Sequence, residues 1–235
     1  MKKEENSIAL LIDCDNISHN SIEGIINELS KYGVINIKNA YGNWKSPKLK
    51  GWEEKLHEFA IQPIQQFDYT KGKNATDIAM IIDAMDILYS QNMDAFALAT
   101  SDSDFTPIVM RLLRSGLKVY GFGEEKTPAP FINACSQFIK TESLVENVKQ
   151  EKFDTKNLRK DTKLVSWLRN ATLRTMDEDG WSNLSKIGAY ISNNSSFSPV
   201  NYGYQKLGDI IREIELFDVE MRHNNKKMYI KDKRG

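Results

Sequence analysis

Residues 6–142 predict an α/β domain built on a mostly parallel sheet covered by helices on both faces, and the remainder predicts a small winged-helix-like module. Two observations carry this. Apolar runs of strand length alternate with segments whose apolar residues recur at helical spacing, a pattern that implies right-handed crossovers. Near Ser143 the alternation stops, and three amphipathic helices and a short hairpin follow. With 235 residues, 40% hydrophobic and 27% charged, the chain suffices for one ordinary domain and a small companion.

The first strand is "SIALLID", apolar enough to be buried on both faces and ending at Asp13. "NSIEGIINELSKYG" sets Ile22, Ile25, Ile26 and Leu29 at helical spacing, with Asn20 as N-cap, Glu23 three residues on and Gly33 as the stop. "VINIKNAYG" is a second strand, "PKLKGWEEKLHEFA" a helix, and "IQPIQQF" a third strand whose proline favours a sheet edge. "NATDIAMIIDAMDILYSQ" is a strong helix with Ile78, Ile81, Ile82, Met85 and Leu88 expected on its inner side. "DAFALAT" is a strand, "FTPIVMRLLRSG" a helix closed by Gly116, and "LKVYGFG" a strand. A short helix at "APFINACS" and a strand at "QFIK" complete the first domain, 1–142.

Residues 143–159 are polar and are expected to be a helical or irregular linker. In 160–235, "TKLVSWLRNATLRTM", "NLSKIGAYISNN" and "YGYQKLGDIIREIE" are amphipathic helices, and "FDVEM" and "KKMYI" flank the basic turn "RHNNKK".

Lys+Arg and Asp+Glu both total 32, so no global positive field draws in nucleic acid, and any polyanion must be met by local patches. Cys14 and Cys135 have neither metal-ligand nor disulfide spacing and are expected to be core thiols. His19, His57 and His223 lack metal-binding spacing and are expected on the surface or in turns. "IALLI" is too short for a secretory signal or a membrane span, so a cytoplasmic location without membrane attachment is the default.

In a parallel sheet the chemistry lies beyond the carboxyl ends of the strands, near the point where strand order reverses. Asp13 and Asp102 are expected there, and Asp77 and Asp104 join them. Each has a structural role at hand: Asp104 as a helix N-cap before "FTP", Asp77 against a helix dipole, Asp13 in a strand-ending turn. Together, like charges at one rim raise each other's pKa or require a cation. Mg2+ or Mn2+ takes oxygen ligands of this kind beside substrate phosphates, which points to phosphodiester hydrolysis without a side-chain nucleophile. Asn16 either orients a phosphate or serves as a turn amide; Thr100 and Ser101 back up the carboxylates. Lys71 and Lys73 either neutralise a phosphate backbone or are solvated loop charges. Asp83 falls off the Asp77 face, and Asp15 points to the opposite side if the strand persists.

"ALLIDCDNI", "KGKNATDIAMIIDAMDIL" and "ATSDSDFTPIVMRLLRSGLKVYGFG" resemble the three signature blocks of the NYN domain family, LabA-like type, within the PIN-like nucleases. The resemblance implies a PIN-like parallel sheet sandwiched by helices and a divalent-metal ribonuclease site. Its acidic positions fall on Asp13, Asp77, Asp102 and Asp104, accompanied by Asn16. Ser101 and Ser103 flank Asp102 where the family commonly has a glycine. "DGWSNLSKIGAYI", "SPVNYGYQKLGDIIREIELFDVE" and "MYIK", within 160–232, are similar to the OST-HTH/LOTUS domain, which implies RNA binding and sometimes protein partners. There, Trp181, Tyr202, Tyr204 and Phe217 are expected in the core or lining a groove, and Lys206, Arg222, Lys226 and Lys227 are the phosphate-contact candidates.

Three functions are compatible with these residues. The first is a Mg2+- or Mn2+-dependent ribonuclease with single-stranded RNA gathered by the C-terminal module. The second is a non-catalytic RNA-binding or adaptor protein, with a protein partner or a homodimer through either domain. The third, from "DCDN", is a haloacid-dehalogenase-like phosphatase with Asp13 as nucleophile and Asp15 as acid–base.

Overall fold

The computed structural model describes residues 5–66, 75–145, 152–222, 224 and 226–234, and the chain divides into two compact units, Met1–Val148 and Lys149–Gly235. In the first, six strands form one sheet: β1 (Ser7–Asp13), β2 (Val34–Gly42), β3 (Gln62–Gln65), β4 (Ala95–Ala99), β5 (Lys118–Gly123) and β6 (Gln137–Lys140). Their spatial order is β3-β2-β1-β4-β5-β6, and every neighbouring pair is parallel. The chain builds outward from β1 to β3, then resumes on the other side at β4, so the order reverses between β1 and β4. A crevice at their carboxyl ends is the consequence.

The two central strands are buried over Ile8–Asp13 and Ala95–Ala99, as continuous apolar runs require when helices cover both faces. α1 (Ile22–Leu29), α2 (Trp52–Glu58), α3 (Ala75–Ser90), α4 (Thr106–Arg114) and α5 (Ala129–Ala134) supply the crossovers. Phe105 is fully buried with Val109, Leu112 and Phe131, so the segment after β4 is anchored in the core immediately beside its aspartates. Gly116, at φ +83°, closes α4 in a conformation that side chains resist.

Three local expectations are corrected. Asn20 does not cap the first helix; Ser18 caps a short 3-10 turn, accepting from the Asn20 amide at 3.3 Å, before α1 begins. Ile78 and Ile82 do not face inward but are 58% and 56% exposed, while Thr76, Met80, Ala84 and Ile87 form the buried line. Apolar residues occur on several sides of α3, so its periodicity does not single out one face. The polar segment 143–159 is not a linker throughout. The Thr141–Leu144 turn packs against α1, residues 146–151 lie outside the described residues, and Thr155–Lys160 is a helix, α6, in the second unit. Leu158 on α6 is fully buried, which is what a lone leucine in a polar run achieves by docking.

The second unit continues with α7 (Thr162–Thr175), β7 (Ser182–Asn183), α8 (Leu184–Asn194), α9 (Leu207–Ile214), β8 (Phe217–Arg222) and β9 (Lys227–Asp232). The three strands form an antiparallel sheet in the order β7-β9-β8. Leu164, Leu168, Ile187, Ile211, Tyr204 and Phe217 make the core. Asp154 and Asp161 cap α6 and α7, accepting from the Asn157 and Leu164 amides at 2.7 and 2.9 Å, each a contribution of about 1 kcal/mol. No helix among the described residues is long and apolar enough to cross a membrane.

Candidate active site

β1 and β4 end side by side, with Ile12 opposite Ala99, which brings Asp13 next to Thr100. The Asp13 carboxylate is fully buried and accepts three hydrogen bonds: from Asn16 Nδ2 at 2.7 Å, Thr100 Oγ1 at 2.9 Å and the Asp15 amide at 3.2 Å. The Thr100 hydroxyl in turn accepts from the Asp102 amide at 3.1 Å. Asp102 caps the following 3-10 turn, its Oδ1 accepting from the Asp104 amide at 2.8 Å. The cap of this segment is thus Asp102 rather than Asp104. On the other side, Thr76 Oγ1 donates to Asp15 Oδ2 at 3.2 Å, one residue before Asp77. A continuous hydrogen-bonded series therefore runs from Asp104 through Asp102, Thr100, Asp13 and Asp15 to the first turn of α3.

The carboxyl pKa values of Asp13 and Asp77 are both raised. Burial raises the Asp13 carboxyl above its usual value, opposed by the bonds from Asn16 and Thr100 and reinforced by Asp15. The Asp77 carboxyl is pushed up to about 6, first by burial and then by Asp13, Asp102, Asp15 and Asp104. Crowded hard-oxygen donors of this kind suit a divalent metal such as Mg2+ or Mn2+. Among the described residues, no group of three or more His, Cys, Asp or Glu side chains stands together so as to hold a metal ion.

Asp15, whose side the sequence leaves conditional on the strand persisting, joins this series: β1 stops at Asp13 and the chain turns, so alternation no longer applies. Its signal was the polar run "DCDN", which a strand does not continue through. Asp83, left out on helical geometry, lies elsewhere: Tyr41 Oη and, at 2.9 Å, Asn39 Nδ2 donate to it. Ser101 does not support the carboxylates; its hydroxyl accepts from the Glu124 amide at 2.9 Å and ties the loop to the end of β5. Where a glycine is common in the resembling family, this serine therefore has its own structural use.

Lys71, Lys73 and His223 lie outside the described residues. Lys206, Lys226 and Lys227 are exposed in the second unit. Arg222 is not free to meet phosphate: it pairs with Asp179 at 2.6 Å and Glu220 at 3.1 Å, and stacks over Trp181 and Tyr229. Tyr204 and Phe217 are core residues and Trp181 packs under Arg222. His19 is not a plain surface residue; it packs edge-on against Trp52, with Nδ1 buried and unpartnered among the described residues.

Comparison with known proteins places both parts of the chain in families. The NYN domain model matches residues 7–144, and the OST-HTH/LOTUS domain model matches residues 158–229. An uncharacterized protein of Methanocaldococcus jannaschii, MJ0482, is 31% identical over 128 residues, covering 53% of this chain and 50% of that protein. The chain thus spans half the length of the curated relative it matches. A crystal structure of a protein of unknown function from Vibrio parahaemolyticus, VPA0982, superposes with a TM-score of 0.50 at 18% identity, covering 60% of this chain and 95% of that one, a likeness of fold alone. NYN domains are typically nucleases and generally use divalent metal ions, and the pairing with LOTUS supports a role in RNA cleavage or RNA binding. With its first-unit match spanning more than half of the sequence, the chain belongs to the NYN domain family and carries a C-terminal OST-HTH/LOTUS domain.

Proposed function

We propose that the chain is a divalent-metal-dependent ribonuclease that hydrolyses RNA phosphodiester bonds, with single-stranded RNA captured by the C-terminal module. The observation that carries this is the hydrogen-bonded series that ties Asp104, Asp102, Thr100, Asp13 and Asp15 to Thr76, the neighbour of Asp77, at the ends of β1 and β4. Asp13, Asp77, Asp102 and Asp104 would hold Mg2+ or Mn2+. Bound there, the ion would supply Lewis-acid stabilisation of charge at the scissile phosphate. Asn16 spends one amide hydrogen on Asp13, and its second is available to a phosphate oxygen. Thr100 keeps the Asp13 carboxylate in one orientation, so no reorganisation is needed when substrate arrives. Lys71 and Lys73, just ahead of Asp77 in sequence, and Lys206, Lys226 and Lys227 in the second unit would neutralise backbone phosphates.

The test is cleavage of single-stranded RNA by the purified chain with Mn2+ or Mg2+. Asp13→Asn and Asp102→Asn should each lower the rate on the order of a hundredfold or more. One observation favours a second reading: among the described residues, no three of these carboxylates stand together as a group that could hold a metal ion. Tight RNA binding without metal-dependent cleavage across a substrate panel would make the chain a non-catalytic RNA binder. The phosphatase reading leaves Asp77 without a role, and a trapped acyl-phosphate would be needed to restore it.

A further inference from the structure

We propose that Thr76 is a positioning residue: its hydroxyl, bonded to Asp15, fixes the rotation of α3 and thereby where Asp77 stands relative to Asp13. The inference rests on the nuclease reading for its catalytic consequence, but the structural part stands by itself.

α3 meets the sheet along Thr76, Met80, Ala84 and Ile87. Three of these are apolar and Thr76, 7% exposed, is the polar exception, at the end nearest the site. Packing alone would be served as well by valine, which has the same shape without the hydroxyl. The hydroxyl is used: it donates to Asp15 Oδ2 at 3.2 Å, and the Asp15 amide donates to Asp13 Oδ1 at the same distance. Two bonds thus refer the first turn of α3 to the end of β1.

This helix needs such a reference. Ile78 and Ile82 are exposed, whereas Ile81, Met85 and Leu88 pack partly against the core, so apolar side chains lie on more than one side. Burial of apolar area is non-directional and discriminates weakly between rotations of a helix of this composition. Each residue turns the helix by about 100° per step, so even a fraction of that rotation carries the Asp77 carboxyl by ångströms. A directional hydrogen bond beside Asp77 selects one rotation where the hydrophobic pattern does not.

The test compares Thr76→Val, Thr76→Ser, Asp15→Ala and the Thr76→Val/Asp15→Ala double variant in the full chain. Three readouts are taken: single-stranded RNA cleavage with Mn2+, Mn2+ affinity by calorimetry, and amide hydrogen exchange over residues 75–80. Thr76→Val should lower kcat by roughly tenfold or more with KM changed by less than about twofold. It should also weaken Mn2+ binding and accelerate exchange at the start of α3. Thr76→Ser, which keeps the hydroxyl, should restore all three. The double variant should be no worse than the worse single, because both remove the same bond. Wild-type exchange and Mn2+ affinity in Thr76→Val would overturn the proposal, as would Thr76→Ser behaving like Thr76→Val or multiplicative losses in the double. A wild-type chain that fails to cleave, or cleavage that survives Asp13→Asn, would sink the nuclease reading instead, and exchange and Mn2+ affinity would still decide the role of Thr76.

Discussion

Thr100 and Asp13 meet across the two central strands, the buried hydroxyl donating to Asp13 Oδ2 at 2.9 Å while accepting the Asp102 amide at 3.1 Å. One small side chain therefore holds two of the acidic positions in register.

Thr100→Val keeps the shape and removes both bonds. Leaving a buried carboxylate and an amide short of partners should cost about 1–3 kcal/mol in urea-induced unfolding. Cleavage should fall on the order of tenfold to a hundredfold, and Thr100→Ser should recover most of it. Single-turnover kinetics separate this loss from weaker RNA binding.

Burial and the neighbouring carboxylates push the Asp77 carboxyl up to about 6 from an ordinary 3.8. Between those values the folded state binds more protons than the unfolded state, so metal-free stability falls as pH rises through the window, and the whole cost is present above it. Asp77→Asn removes that cost. In EDTA at about pH 7.5 its Tm should exceed the wild type by about 2–4 °C, a gain held to roughly 1 kcal/mol because water screens this half-exposed group. Toward about pH 4 the two proteins should converge, and saturating Mn2+ should stabilise the wild type but not the variant.

Two glycine substitutions should part company. A Cβ at Gly123 would lie 2.7 Å from the Thr100 carbonyl and 2.6 Å from Thr127 Oγ1, so Gly123→Ala should lose about 1–3 kcal/mol and also disturb cleavage through Thr100. Gly116 has nothing within 4 Å, only its positive φ. Gly116→Ala should lose about 1 kcal/mol with unchanged turnover. Thermal melts and cleavage assays on the pair distinguish backbone strain from an effect on the site.

In the second unit, Lys226→Ala and Lys227→Ala should weaken RNA binding and each reduce its salt slope by about one, with Tm unmoved. Arg222→Ala should instead lower Tm, since it removes the stacking on Trp181 and Tyr229 and the pairs to Asp179 and Glu220. Binding titrations at several salt concentrations, with melts alongside, check both.

Much of the fold was legible because the strands are continuous apolar runs bounded by polar residues; Ser7–Asp13, Val34–Gly42 and Gln137–Lys140 coincide with the segments read from sequence. The acidic candidates could be singled out because each sits at the end of such a run or opens a helix. What stayed hidden is short or is set by three-dimensional neighbours. α6 has Leu158 as its buried anchor, and β7 is two residues long, too short for any period. The inner face of α3 could not be read from a helix apolar on several sides, and the place of Asp15 depended on where β1 stops, which is a tertiary matter.

Pro63 on β3 has a consequence for the behaviour of many copies together. The sheet ends at β3 and β6, margins of four residues each, and the first of them carries a ring that cannot donate to a further strand. Such brief margins are poor templates for stacking chain upon chain, so this sheet is guarded against fibrous growth at concentrations where a long, flat border would invite it.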